Sequence, residues 1–485
     1  MRVLLTNPPW HSEYGEFYSR VKNRTPQMGS SDPYYTAFPW FLAYTAAILE
    51  KDGHEVFMID CFAENMSEKK YLKKIEKISP EVVIIETSTP TLNSDLTIAK
   101  RIKEQINPIV IFSGTHASVF PRELIKNNWI DIVFVGEYEL TAKETLNILE
   151  KKRRIDLLKK VRGLVLKSNG KIVYTGKREL IKDLDSLPYP ARDLLPLEKY
   201  YDGLVGSPQI QMMSMRGCVF KCPYCLWPFT FFKHTIRLRD PKKVVDEIEF
   251  VIEKYKPKYL YFDDDIFTFN TERVMKFCRE LEIRDINIKW GAMTRPELLT
   301  EKLMEEMYSA GCVALKIGVE SANYALLKKI KRYYTLSYVR KIFKTAKKIG
   351  IKTQALYILG LPGENEESIK RTIRFSRNLS DKAQFLLLTP YPGTPFYELY
   401  KKRGWLIDEK NWELFNPFTP SVNLPGLSPK ELKNFQIKAY KNFYMKKLRF
   451  NALFYSIKKD GMKRTFIRSI LWLLNNLNIT EKPIL

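Results

Sequence analysis

Short apolar runs alternate with amphipathic stretches along most of this chain. In its first part, RVLLTN (2–7), EVFMID (55–60), EVVIIET (81–87), PIVIFSG (108–114) and DIVFVGE (131–137) are β-branched and almost continuously apolar. Between them, FLAYTAAILEKDGH and segments near 66–78, 93–106 and 138–152 place apolar residues at helical spacing. Strands that are apolar on both faces belong to a parallel sheet covered by helices on both sides. Residues 1–151 are therefore expected to form an α/β domain with a doubly wound, five-stranded parallel sheet. Such sheets bind ligands at the carboxyl ends of their strands. Here those ends read Asn7-Pro8-Pro9, Thr87-Ser88-Thr89, Gly114-Thr115-His116 and Gly136-Glu137, all small, polar or turn-forming.

The alternation pauses at 152–208. This connector holds a hairpin, GLVLKSNGKIVYTG with an Asn169-Gly170 turn, and a Pro-rich strap, LDSLPYPARDLLP. It resumes over 209–405, with strands expected at 210–216, 259–262, 287–293, 313–320, 353–360 and 384–390. Helices such as 242–255 and 336–350 separate them. Six β/α units predict an open, partial barrel with its active-site loops at the strand C-termini. Residues 406–485 break the pattern. There, LKNFQIKAYKNFYMKKLRF and RTFIRSILWLLNNL read as two basic amphipathic helices.

Charge and composition narrow the class. The chain has 485 residues, 45% of them hydrophobic, and a net charge of +25. From Gly426 to the end, 13 Lys/Arg face 3 acids, which places +10 of that charge in the tail. No zinc finger, RNP-type motif or single basic arm supports a nucleic-acid partner. A basic amphipathic tail suits an anionic membrane surface, or it simply caps the barrel. There is no run of about 18 apolar residues to span a bilayer, and MRVLLTNPPW turns polar too soon for a signal peptide. Few, unevenly placed cysteines point to a reducing, cytoplasmic compartment.

Three of the six cysteines crowd into MRGCVFKCPYCLWP, as Cys218, Cys222 and Cys225 with C-x3-C-x2-C spacing, just after the first expected barrel strand. Zinc ribbons use paired C-x2-C motifs, and no second pair exists. Soft thiolates favour iron–sulfur clusters. Three of them can hold a four-iron cubane with one iron left open for chemistry. Cys61, Cys278 and Cys312 are isolated, and Cys278 lies on an apolar helix face. A second cluster is therefore not expected.

The cysteine motif resembles the radical S-adenosylmethionine (SAM) superfamily, and three further segments follow in that family's order. They are YFDDDIF (Asp263, Asp264, Asp265), GVESAN (Glu320, Ser321) and YILGLPGE (Gly360, Pro362, Gly363). The resemblance implies a 4Fe-4S cluster on the cysteines, SAM chelated at the open iron, and Tyr224 near the adenine. Asp263–Asp265 would hold the SAM amino group, Glu320 and Ser321 the ribose and carboxylate, and the glycine-rich segment the adenine. Reductive cleavage of SAM would give a 5′-deoxyadenosyl radical, with a reductant such as flavodoxin or ferredoxin.

A doubly wound domain ahead of such a core resembles the cobalamin-binding radical SAM class. MRVLLTNPP, ETSTPTLNSD, FSGTHAS and VGEYE are the segments that carry this. The resemblance implies cobalamin over Pro8, Pro9, Thr87, Ser88, Thr89, Gly114, Thr115, His116, Gly136 and Glu137. The cobalt-ligating D-x-H-x-x-G signature is absent, because Asp52-Gly53-His54 is followed by Phe57 and precedes the second strand. His116 is a lower cobalt ligand, a loop hydrogen-bonding residue near the cofactor, or a purely structural residue. The relatives most resembled are hopanoid-associated radical SAM proteins and the anaerobic magnesium-protoporphyrin monomethyl ester cyclase. This implies a hydrophobic or lipid substrate, modified by methylation at an unactivated carbon. Cyclisation or another radical outcome is the alternative, and a non-catalytic cobalamin sensor a remote one.

Overall fold

The computed structural model describes residues 1–10, 18–22, 25–28 and 35–444. The second basic helix expected at RTFIRSILWLLNNL lies outside the described residues, as do Leu448 and most of the charged tail.

The first sheet is built from β1 (Arg2–Asn7), β2 (Glu55–Asp60), β3 (Val82–Glu86), β4 (Ile109–Ser113) and β5 (Ile132–Phe134), in the order β2-β1-β3-β4-β5 and all parallel. Alternate side chains feed two cores, as both-face burial demands. Val3 and Leu5 meet α1 (Trp40–Lys51) and α4 (Glu139–Lys152) on one face. Leu4, Val83 and Ile85 meet α2 (Glu68–Ile78) and α3 (Leu92–Ile106) on the other.

The hairpin is not a free connector. Its arms β6 (Leu164–Ser168) and β7 (Lys171–Tyr174) add two antiparallel strands beyond β5, giving seven strands in all. The Asn169-Gly170 turn has φ of 50° and 72°, the left-handed pair that a two-residue hairpin loop requires.

The second sheet runs β8 (Gln209–Met212), β9 (Tyr259–Phe262), β10 (Lys289–Thr294), β11 (Cys312–Glu320), β12 (Lys352–Leu359) and β13 (Lys382–Leu387). These six strands are parallel and in sequential order, with β8 and β13 at the two edges. This is the open barrel. Its outer face packs on α5 (Pro241–Tyr255), α6 (Thr271–Ile283), α7 (Glu301–Ser309), α8 (Leu336–Ile349) and α9 (Glu366–Ser376).

Both open edges are covered. At β13 the cover is α10 (Pro429–Tyr444), the first of the two expected basic helices. Tyr440 Oη accepts from Phe385 N–H (3.2 Å), Tyr444 Oη accepts from Ala383 N–H (3.1 Å), and Gln436 donates to Phe385 O (2.9 Å). Side chains thus occupy backbone groups that would otherwise template another strand. Leu432, Ala439 and Phe443 bury the helix's apolar stripe. At β8, Gln211 accepts from Phe38 N–H (2.9 Å) and donates to Thr36 O (2.7 Å). Among the described residues, no helix is long and apolar enough to cross a membrane.

Candidate functional site

The cysteine loop leaves the barrel through a two-stranded clip, Met215–Arg216 paired with Arg237–Leu238. The three carboxylates after β9 bind this region from within. Like charges so close need donors, and the protein supplies them. Asp263 accepts from Trp40 Nε1 (2.9 Å). Asp264 accepts from the N–H groups of Ser214 (2.7 Å) and Met215 (3.0 Å) and from the Ser214 hydroxyl. Asp265 accepts from Gly217 N–H at 2.8 Å. Gly217 has φ 93°, and a Cβ there would run into the Thr235 carbonyl, so only glycine can start the loop. The aspartates expected at the SAM amino group therefore make their hydrogen bonds to the loop and to α1.

Cys218 and Cys222 are buried, and Cys225 partly so. Burial, with Asp265 nearby, pushes the Cys218 thiol up to about 12, and burial raises Cys225 well above its ordinary value. Arg295 lies 3.5 Å over the Phe220 ring and points Nη1 at Cys222 Sγ, 3.8 Å away. The other three cysteines sit in the cores, Cys61 in the first domain and Cys278 and Cys312 in the barrel.

At the end of β11, Glu320 adopts φ 61°, unusual for a residue with a side chain. Arg332 Nη2 donates to Glu320 (2.7 Å) and to Tyr224 Oη (3.3 Å). Burial raises the Glu320 pKa against the pull of Arg332. Arg332 is itself buried, and its Nε and Nη1 have no partner. Two buried guanidinium donors beside a carboxylate and a phenol make a cradle for an oxyanion next to an acceptor. Nothing in the spacing of KIKRYY marks Arg332. Ser321 is fully buried, 3.4 Å from Thr372 Oγ1, and accepts from Asn323 N–H (3.2 Å). In the glycine-rich segment, Glu364 accepts from Gly360 N–H (2.5 Å) and Leu361 N–H (3.1 Å), while Lys329 donates to Pro362 O (3.1 Å) and lies beside Gly363.

In the first sheet, Pro8 and Pro9 are buried after β1. Thr6 Oγ1 and both polar atoms of Asn7 are buried without a partner, as is Thr115 Oγ1 after β4. Thr87 donates to Asp95 (2.8 Å), and Ser88 and Thr91 cap each other. His116 Nδ1 lies 3.2 Å from Thr89 Oγ1, and its ring packs on Phe120 and Trp412. Burial pushes His116 down to about 3, so the ring is neutral. It borders a cavity of about 380 Å³ with Leu96, Tyr397 and Trp412. Gly114 and Gly136 are turn residues with φ of 100° and 77°.

The Glu137 carboxylate is engaged within the protein. Both its oxygens take Arg237 at 2.6 Å, and Arg216 reaches it at 3.4 Å. Arg216 also pairs with Glu139 at 2.6 Å. All four residues are at most 8% exposed. Burial alone would lower the Arg216 pKa, but Glu139 and Glu137 raise it. This ionic clamp ties the end of β5 to both arms of the clip that carries the cysteine loop. Sequence reading missed Glu139, Arg216 and Arg237, which no spacing rule connects.

The comparisons bear on this architecture. The radical SAM superfamily profile matches residues 212–376, and the B12-binding domain profile matches 32–146. An uncharacterized methyltransferase of Pyrococcus horikoshii is 32% identical over 92% of this chain and 93% of its own length. This chain belongs to the cobalamin-binding radical SAM family. The anaerobic magnesium-protoporphyrin IX monomethyl ester cyclase of Rubrivivax gelatinosus is 28% identical, covering 97% of this chain and 82% of that protein. The hopanoid C-3 methylase of Methylococcus capsulatus is 22% identical over 82% and 76%. Among solved structures, the cobalamin-dependent SAM radical enzyme OxsB superposes with TM-score 0.71 at 14% identity, over 99% of this chain and 76% of its own. The methyltransferase TsrM of Kitasatospora setae gives 0.66 at 18% identity, over 90% and 84%. The protein is thus a radical SAM enzyme of the cobalamin-dependent, methyltransferase-like kind, using a 4Fe-4S cluster, SAM and cobalamin.

Proposed function

We propose that the enzyme transfers a methyl group to an unactivated carbon of a hydrophobic substrate in the mouth of the open barrel. The carrying observation is that unpartnered, buried polar atoms occur at strand ends in both domains. These are Arg332 at the β11 end and Thr6, Asn7 and Thr115 at the β1 and β4 ends. In this reading Cys218, Cys222 and Cys225 hold the cluster, an all-thiolate set suited to iron. Arg332, Glu320 and Tyr224 hold the carboxylate and ribose ends of SAM. Thr6, Asn7, Thr115 and the Thr89–His116 pair meet the amide-fringed corrin. When bound, the three cofactors supply radical hydrogen abstraction and a transferable methyl group. The chain's own residues orient and seal: Asp264 and Asp265 fix the loop backbone, Arg295 shields Cys222, and the β5 clamp holds the two domains in register. A flavodoxin- or ferredoxin-like reductant supplies electrons, and the basic tail rests on an anionic membrane, which liposome flotation with and without residues 445–485 checks.

Anaerobic incubation of the loaded enzyme with SAM and lipid extract tests the reading by mass spectrometry. A product heavier by one methylene (about 14 mass units), formed only when cobalamin is present, supports methylation. A product with altered unsaturation and no added carbon replaces it with the cyclase-type alternative that the Rubrivivax relative represents.

A further inference from the structure

The cysteine loop has an outer surface that the cofactor contacts leave unused. Cys218 and Cys222 are buried, but their chain neighbours Val219 and Lys221 are exposed, Val219 to 38%. Other parts of the loop are covered. Trp227 stacks on Phe41 of α1 at 5.7 Å, and Pro223 O accepts from Phe396 N–H (3.1 Å). Phe220 lies under Arg295 and against Phe269. Among the described residues, Val219 and Lys221 stand between solvent and the two buried thiols.

A second segment joins this surface. Arg332 runs inward to Tyr224 of the loop (3.3 Å), while Lys331 and Tyr333 on either side of it are exposed, Tyr333 to 65%. Lys331 N–H donates to Lys328 O (3.1 Å), which keeps another exposed lysine in the same turn. Among the described residues, Lys221, Lys328 and Lys331 make no ion pair. No acid lies near them in the chain. From Ser321 to Gly363 there are 10 Lys/Arg and no Asp or Glu, and Gly203 to Arg239 also holds no acid. Unpaired lysines beside exposed Val219 and Tyr333 make a surface that is both positive and partly apolar. It would attract an acidic protein from a distance and offer it an apolar contact on arrival.

We infer that Val219, Lys221, Lys328, Lys331 and Tyr333 form the docking surface for an acidic electron-carrier protein. One electron leaves the carrier's flavin or iron–sulfur centre and enters at the cysteine loop, so the carrier is oxidised by the one electron that SAM cleavage consumes. This rests on the reading above that the three cysteines hold the cluster. It goes further by assigning the carrier its place on the chain and its charge.

The test uses the reconstituted holoenzyme with SAM, anaerobically and at low ionic strength. It is driven either by dithionite or by a reduced flavodoxin or ferredoxin, and 5′-deoxyadenosine is read. Lys221→Glu/Lys331→Glu should lower the carrier-driven rate about tenfold or more, and leave the dithionite-driven rate within about twofold. Its iron content and melting temperature should match the wild type. Added salt should slow the carrier-driven wild type and narrow the gap. Lys344→Glu/Lys347→Glu, at the far end of α8, makes the same charge change and should leave the carrier-driven rate within about twofold. The inference is overturned by a carrier-driven rate unchanged in the first variant or lowered equally in the second. It is overturned as well by an equal loss under dithionite, or by a wild type that dithionite drives and neither carrier does. Flotation on anionic vesicles that is lost in the first variant, while its carrier-driven rate stands, gives the surface to a membrane instead. Absence of 5′-deoxyadenosine from the wild type under dithionite overturns the radical SAM reading beneath it.

Discussion

At the end of β5, Glu137 and Glu139 have given their carboxylates to Arg216 and Arg237. At the ends of β1 and β4 in the same sheet, Thr6, Asn7 and Thr115 keep buried polar atoms without partners. The barrel repeats the contrast. The carboxylates after β9 are taken up by Trp40, Ser214 and Gly217, whereas Arg332 after β11 retains two open donors. Strand ends that look alike in sequence thus divide into scaffold and receptor. Buried polar groups are normally paired; in the proposed function the open atoms of Thr6, Asn7, Thr115 and Arg332 are where ligands would bind, although Glu139 Oε2, Arg216 Nη2 and Arg237 Nε in the clamp also lack a partner.

Breaking a scaffold contact should cost stability, and breaking a receptor contact should cost only binding. Glu139→Ala leaves Arg216 buried with weakened compensation, and we expect a loss of ~3–5 kcal/mol in denaturant unfolding. Replacing the pair together, Glu139→Leu with Arg216→Met, should recover most of it. Thr115→Ala is the matched receptor variant. It should leave unfolding within about 0.5 kcal/mol and lower only cobalamin retention on a desalting column.

Glu364 belongs to both classes, since one oxygen accepts two backbone N–H groups and the other is buried without a partner. Burial raises its pKa from 4.5 to about 7. A raised carboxyl pKa stabilises the fold fully below about pH 4.5, and this is lost as pH rises through about 7. The loss amounts to ~3 kcal/mol. Glu364→Gln should flatten the fall in stability between pH 5 and 8, and an unchanged slope would assign that fall to other groups.

Arg332→Lys keeps the charge and removes the fork. SAM affinity, read by equilibrium dialysis, should fall ~10- to 100-fold, the equivalent of ~1.5–3 kcal/mol for a charged hydrogen bond. Cobalamin content should be unaffected. The smallest effect is expected from Tyr440→Phe at the barrel edge, about 1 kcal/mol of stability with no change in either cofactor.

Much of this fold was legible because both sheets announce themselves by period. YLYF became β9 with its predicted bounds, and RVLLTN and EVFMID became β1 and β2. The hairpin was read correctly as a hairpin but not as sheet edge, since pairing partners across sequence leave no local mark. The same limit hid the site's scaffold. DDD was conspicuous as a charge cluster, yet its donors Trp40, Ser214 and Gly217 lie up to 223 residues away. Glu137 stood at a ligand-facing strand end in sequence, and Arg237, 100 residues on, claimed it. The cysteine triad was legible because its three residues lie within eight positions of one another.

The account rests on that triad as the place where SAM is cleaved. The most direct test compares the reconstituted wild type with Cys222→Ala, anaerobically, with dithionite and SAM, reading 5′-deoxyadenosine and protein-bound iron together. Wild type should yield both and the variant neither, while the variant keeps its cobalamin absorbance because the first sheet is untouched. Continued 5′-deoxyadenosine formation by the variant would contradict the account.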